Sequence, residues 1–143
     1  MRRDSSFTRA ASRPTTASSE GERTIAREEE SAQRARRAAE ICQERKCPYV
    51  IVIDVRQHTP FVDYFVVCTT QNRVQSEAVV DALRDGLHDY HHREGGEGSD
   101  WILVDFRDIA VHVMLPEAHR FYDLERLWGD APRLPVGEAA RVT

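Results

Sequence analysis

Apolar and polar positions change period several times along the chain, and each change marks an element. Tyr49-Val-Ile-Val-Ile-Asp-Val55 is β-branched and apolar almost throughout, the pattern of a strand covered on both faces. Gln57-His-Thr-Pro60 interrupts it, and Asp63-Tyr-Phe-Val-Val-Cys-Thr69 resumes as a second strand; the short link predicts antiparallel neighbours. Asn72 is a good N-cap for a helix running from Arg73 towards Tyr90. On it Val79, Val80, Leu83, Leu87 and Tyr90 recur at helical spacing and make one apolar face. Gly95, Gly96 and Gly98 mark a loop. Trp101–Phe106 and Ile109–Leu115 read as two strands joined by the turn Arg107-Asp108. Pro116-Glu117 opens a short helical turn, and Phe121–Trp128 supplies a final amphipathic segment.

Upstream, residues 25–46 contain no Gly or Pro and many good helix formers, with a narrow apolar stripe of Ala35, Ala38, Ala39, Ile41 and Cys42. A Glu-rich start and an Arg/Lys-rich end suit the helix dipole, and Pro48 closes the helix. Residues 1–24 are dominated by Ser, Thr, Ala and Arg without a periodic apolar face, so they are expected to form a disordered tail. A second such tail is expected over 135–143, leaving one domain over 25–134. The order α-β-β-α-β-β-α predicts an α/β fold: a mixed β-sheet with flanking helices.

Composition narrows the function. A chain of 143 residues holds one ordinary domain, and 41% apolar residues suffice for a core. No apolar run approaches the roughly 18 to 20 residues that span a bilayer, so no membrane partner is expected. Residues 1–37 carry 9 Arg against 6 Asp/Glu, whereas the remainder carries 11 Arg/Lys against 18 Asp/Glu. An acidic body is unsuited to neutralising phosphates, so direct DNA binding is not expected and a basic protein surface is the better partner. Cys42, Cys47 and Cys68 form no CxxC pair, and no apolar signal segment follows the start. A reducing, cytoplasmic setting is expected, with Cys68 a small core hydrophobe. The first nineteen residues are Arg- and Ser-rich and acid-poor, as organellar transit peptides are, which keeps a mitochondrial or chloroplast destination open.

Candidate chemistry is sparse. Asp54, Asp63, Asp105 and Asp108 recur at strand ends, where clustered carboxylates could bind Mg²⁺ for phosphoryl transfer. A divergent nucleotidyltransferase or metal-dependent enzyme is therefore the alternative reading. That chemistry needs a Gly-Ser cradle leading into closely spaced aspartates on a strand, and the chain has neither. His88, His91 and His92, with Glu94 close by, approximate a helical zinc spacing, though a polar helix end explains them as simply. His112 alternates with valines on a strand. Neither a Ser/His/Asp or Cys/His nucleophile nor a P-loop occurs, so no catalytic residue, metal ligand or cofactor is expected. The aromatic residues say more. Trp101, Phe106, Tyr122 and Trp128 interleave with acids, which suits docking on a basic protein. Trp101 and Phe106, with Asp100, Asp105 and Asp108 around them, are the expected interface; Trp128 and Phe121 are expected in the core.

These residues also match a family. Asp54-Val55, Asp63-Tyr-Phe-Val66, Asp100-Trp-Ile-Leu-Val-Asp105, Asp108-Ile-Ala-Val-His-Val113 and Phe121-Tyr-Asp-Leu-Glu-Arg-Leu-Trp-Gly-Asp-Ala-Pro132 resemble the Iojap family of ribosomal silencing factors (RsfS) over about residues 32–134. The resemblance implies a nucleotidyltransferase-like domain without the catalytic motif. It also implies a binding function: attachment to the large ribosomal subunit through its fourteenth ribosomal protein, which blocks the small subunit from joining and represses translation. By position, the family's interface corresponds to Trp101 and Phe106. A homodimer is left open. The chain departs from the family at Arg107 and Thr70, where glycine is usual, and in a shortened stretch before Trp101 that predicts an edge strand reduced to about His91–Glu94. In a tight hairpin turn, Arg107 is expected to need positive φ.

Overall fold

The computed structural model describes residues 14–136. The described residues divide into two compact units, with the boundary between Glu30 and Ser31. In chain order the elements are α1 (Pro14–Glu44), β1 (Tyr49–Asp54), β2 (Tyr64–Thr69), α2 (Arg73–Gly86), β3 (His92–Glu94), β4 (Trp101–Asp105), β5 (Ile109–Met114), α3 (Pro116–Tyr122), α4 (Leu124–Leu127) and β6 (Arg133–Leu134).

Helix α1 starts at Pro14 rather than Ile25, so residues 14–24 of the expected tail are helical. Proline's fixed φ suits a helix start, and the following Ser, Thr, Ala and Glu residues tolerate helix well enough to extend it. Glu28–Glu30 therefore lie inside the helix, whose first turn carries no acid and whose last turn carries no base. Residues 1–13 and 137–143 of the two expected tails lie outside the described residues. Val136, expected in the second tail, packs against the core.

The six strands form one mixed sheet in the order β3-β4-β5-β2-β1-β6. β1 and β2 pair antiparallel, as do β4 and β5, while β2 and β5 run parallel at the centre. The reduced edge strand is present as β3, pairing His92–Glu94 with Leu103–Asp105. β6 escapes a pattern-based reading because two residues carry no period; it pairs Leu134 with Val52 on the other edge.

Strand alternation sorts side chains onto two faces. Val50, Val52, Tyr64, Val66, Ile102, Val104, Val111 and Val113 share one core cluster with the stripe of α1 and the apolar face of α2. Ile53, Val67 and Met114 point the other way and cluster with Ala118 of α3, Leu124 of α4 and Ala131. Asn72 caps α2, its Oδ1 accepting from the Gln75 N–H at 2.8 Å. The helix stops at Gly86 instead of continuing towards Tyr90.

Candidate interaction site

Three arrangements on this frame hold the residues that chemistry could use. The first lies at the β4–β5 turn. The Arg107 φ is +76°, and the Asp108 N–H donates to the Phe106 carbonyl at 3.0 Å, closing a tight γ-type turn. The Asp105 carboxylate accepts from the Arg107 N–H at 2.7 Å. From α1, Arg34 Nε donates to Asp108 at 3.1 Å and its Nη2 donates to the carbonyls of Phe106 and His88, each at 3.1 Å. The Ser31 hydroxyl lies 2.8 Å from Asp63 Oδ2 and 2.9 Å from Asp108 Oδ2. Arg34 is only 7% exposed, so this charge is buried and neutralised by Asp108. Removing one partner of such a pair leaves the other unpaired and is strongly destabilising.

The second arrangement surrounds Glu125. Tyr49 Oη donates to Glu125 Oε2 at 2.6 Å, and His119 Nε2 lies 2.6 Å from the same oxygen. Burial alone would raise the Glu125 carboxyl, but the Tyr49 and His119 hydrogen bonds more than offset it and hold it below its ordinary range. Burial, then the adjoining carboxylate, push the Tyr49 hydroxyl well up. The effect is to clamp α3 and α4 onto β1.

The third is a row of aromatic rings across the α3/α4 face. Trp128 meets Phe65 edge-on at 5.5 Å, Phe65 meets His112 at 4.7 Å, and His112 is followed by Trp101 at 5.8 Å. Trp101 Nε1 donates to His112 Nδ1 at 3.0 Å, fixing His112 as the Nε2-protonated tautomer. Burial holds His112 down at about 4, so it is neutral near pH 7. The row then leaves the core: Trp101 packs on Tyr122 at 4.5 Å and Tyr122 on Phe121 at 5.0 Å. Phe121 is 80% exposed, Leu127 70% and Tyr122 50%. A groove of about 600 Å³ runs beside the row, lined by Asp100, Trp101, Glu117, Phe121 and Tyr122 among others. Arg120 and Arg126 adjoin it on the Leu127 side. Gly95 helps to position Trp101: its φ is +93°, and a Cβ there would sit 2.6 Å from the Trp101 carbonyl oxygen. An exposed apolar cluster with a polar rim is the physical signature of a docking surface.

The expected interface residues do not form one patch. Trp101 and Phe106 are five residues apart on one strand, so alternation turns them to opposite faces and separates them by roughly 16 Å. Phe106 is fully buried under Arg34 and Tyr90 and offers nothing to a partner. Asp108 is committed to Ser31 and Arg34, and Asp105 lies at the far end of β4, near His92. Trp101 and Asp100 remain at the groove, Asp100 paired with Arg73. Phe121, expected in the core, is exposed because Asp123 adopts the left-handed conformation at φ 49°, breaking the amphipathic segment into α3 and α4. Trp128 does pack on the inner cluster. Of the candidate metal ligands, His91, His92 and Asp105 come within reach of one another at the surface, whereas His88 turns to Arg34. They do not follow helical spacing, because α2 has already ended. Asp54 is engaged by Arg56, whose hydrogen bonds hold it below the usual carboxylate range.

Fold and site together define a small mixed α/β module whose conspicuous exposed feature is an aromatic surface beside a shallow groove. Residues 28–143 match the model of the family described as ribosomal silencing factor during starvation, and the chain belongs to this RsfS family. Among its relatives, a ribosomal silencing factor of Chromobacterium violaceum is 34% identical over 107 residues, covering 71% of this chain and 88% of that protein. One from Bacillus subtilis is 30% identical, covering 66% of this chain and 84% of that protein. Chloroplastic Iojap of Zea mays is 30% identical, covering 65% and 42%. A crystal structure of a C. violaceum protein superposes with a TM-score of 0.66 at 31% identity, covering 78% of this chain and 98% of that one.

Proposed function

We propose that this protein is a ribosomal silencing factor that docks on the large ribosomal subunit and keeps the small subunit from joining, so repressing translation. The observation that carries the reading is the exposed ridge of Phe121, Tyr122 and Leu127 continuing from Trp101. Desolvated aromatics at an interface centre supply most of the binding energy, and Glu117 at the groove suits a basic ribosomal protein such as the fourteenth of the large subunit. Relatives named for ribosomal silencing, and a mouse relative named for mitochondrial assembly of the ribosomal large subunit, support a ribosomal partner. No helix among the described residues is long and apolar enough to cross a membrane.

The test is sedimentation of the full chain with separated large and small subunits. Co-migration with large subunits alone is expected, together with inhibition of subunit joining when small subunits are added. Equal recovery with both subunits, or with neither, sinks the reading. The double variant Phe121→Ala/Leu127→Ala is expected to stay folded and lose co-migration.

A further inference from the structure

The core cluster under α1 contains a feature that silencing does not use. Cys42, Cys47 and Cys68 are all free and buried, and their sulfur atoms lie within 4.8 Å of one another. Local backbone chemistry explains two of the three. At the end of α1 the Cys47 N–H donates to the Cys42 carbonyl at 3.1 Å and the Lys46 N–H to the Gln43 carbonyl at 2.9 Å, with Lys46 left-handed at φ 69°. This is a Schellman motif, which brings the side chains three from the helix end and two beyond it into contact; here both are cysteines. Cys68 reaches the pair from β2, where it pairs with Val50 of β1 and faces the α1 and α2 side of the sheet.

We propose that Cys42, Cys47 and Cys68 form a three-thiolate site for a soft monovalent cation, Cu(I). Three sulfurs on one metal at about 2.3 Å sit about 4 Å apart, so the cluster needs only small side-chain adjustments to close. Thiolates select soft metals, and each sulfur that binds gives up its proton to solvent. A structural zinc site wants four ligands, and among the described residues no His, Asp or Glu joins these three. The three cysteines share their core cluster with Val50, Val66, Val79 and Leu83. Entry is through Cys47, at 9% exposure the least covered of the three, beside the Lys46-Cys47-Pro48 turn. Loading would staple the end of α1 to β2.

The experiment is anaerobic titration of the reduced full chain with Cu(I) held by a chromogenic Cu(I) chelator, in the presence of excess Zn(II). The expected result is one copper retained per chain, three sulfur neighbours by X-ray absorption, a near-ultraviolet thiolate-to-copper band, and a raised melting temperature. Cys47→Ala and Cys68→Ala, checked for folding by circular dichroism, should each lose the retained copper. Cys47→Ala alters a turn residue, so it keeps the test decisive if Cys68→Ala does not fold. The proposal is overturned if the wild-type chain takes no copper, if the bound copper has nitrogen or oxygen neighbours, if Zn(II) displaces it, or if folded Cys47→Ala retains it.

Discussion

On the face of the sheet covered by α1 and α2, Val52, Val66, Val104 and Phe106 are shut from solvent by two long helices. On the face covered by α3 and α4, the cover is seven residues and four residues long, and Phe65, Trp101 and Trp128 are only partly buried beneath it. The strands are the same; the helices differ. Long helices bring enough apolar stripe to seal a sheet with small β-branched residues, whereas two short ones leave area that large rings must fill. Of these rings Trp101 continues past the edge of the cover onto Tyr122 and Phe121, the proposed docking ridge. A sealed face gives stability; an under-covered face leaves apolar surface exposed.

Breaking the sealed face should have the largest effect. Phe106→Ala removes a fully buried ring and should cost about 3–5 kcal/mol of unfolding free energy by denaturant titration. Large-subunit binding by the molecules that stay folded should be unchanged, because Phe106 lies on the face away from the ridge.

The opposite face should show its difference in pH. His112 is held at about 4 when folded and returns to about 6.5 when unfolded. Between those values the unfolded chain binds the extra proton, so stability rises with pH through this window and is complete above it. The expected loss on acidifying from pH 6.5 to 4 is on the order of 3 kcal/mol. It should be absent in His112→Gln, and so should appear as the pH-dependent difference between wild type and that variant in melting temperature.

At the ridge itself, Phe121→Ala should leave the melting temperature within a degree or so while weakening large-subunit binding by roughly 30-fold, about 2 kcal/mol. A variant that loses stability instead would place Phe121 in the fold and erase the distinction between the faces. The smallest effect is expected at the turn, where Arg107→Gly should stabilise by about 1 kcal/mol because glycine accepts φ 76° without strain. Binding should not respond.

Much of the frame was legible in advance. The β-branched run Tyr49–Val55 gave β1 as a doubly covered strand, Asp63–Thr69 gave a second strand, and the Asn72 cap located the start of α2. The shortened stretch before Trp101 pointed to a reduced edge strand at about His91–Glu94, which is β3 at His92–Glu94. The positive φ at Arg107 followed from the turn length together with the glycine usual there in the family. One error was also avoidable from sequence: residues five apart on a strand face opposite ways, so Trp101 and Phe106 could not share an exposed face.

Period, cap and turn length are properties of residues a few positions apart, and these the sequence determined: strands, helices, their order and the family pattern. Burial is not local. Whether Phe121 is core or surface depends on Asp123 turning left-handed between α3 and α4, and whether Asp108 is a free acid depends on Arg34 arriving from a helix 74 positions away. The meeting of Cys42 and Cys47 with Cys68 likewise needs a Schellman turn built on lysine instead of the usual glycine, and the packing of α1 across β2. The meetings of Arg34 with Asp108 and of Cys68 with the α1 cysteines arise only when elements pack, because the side chains that meet there share no sequence neighbourhood to leave a pattern.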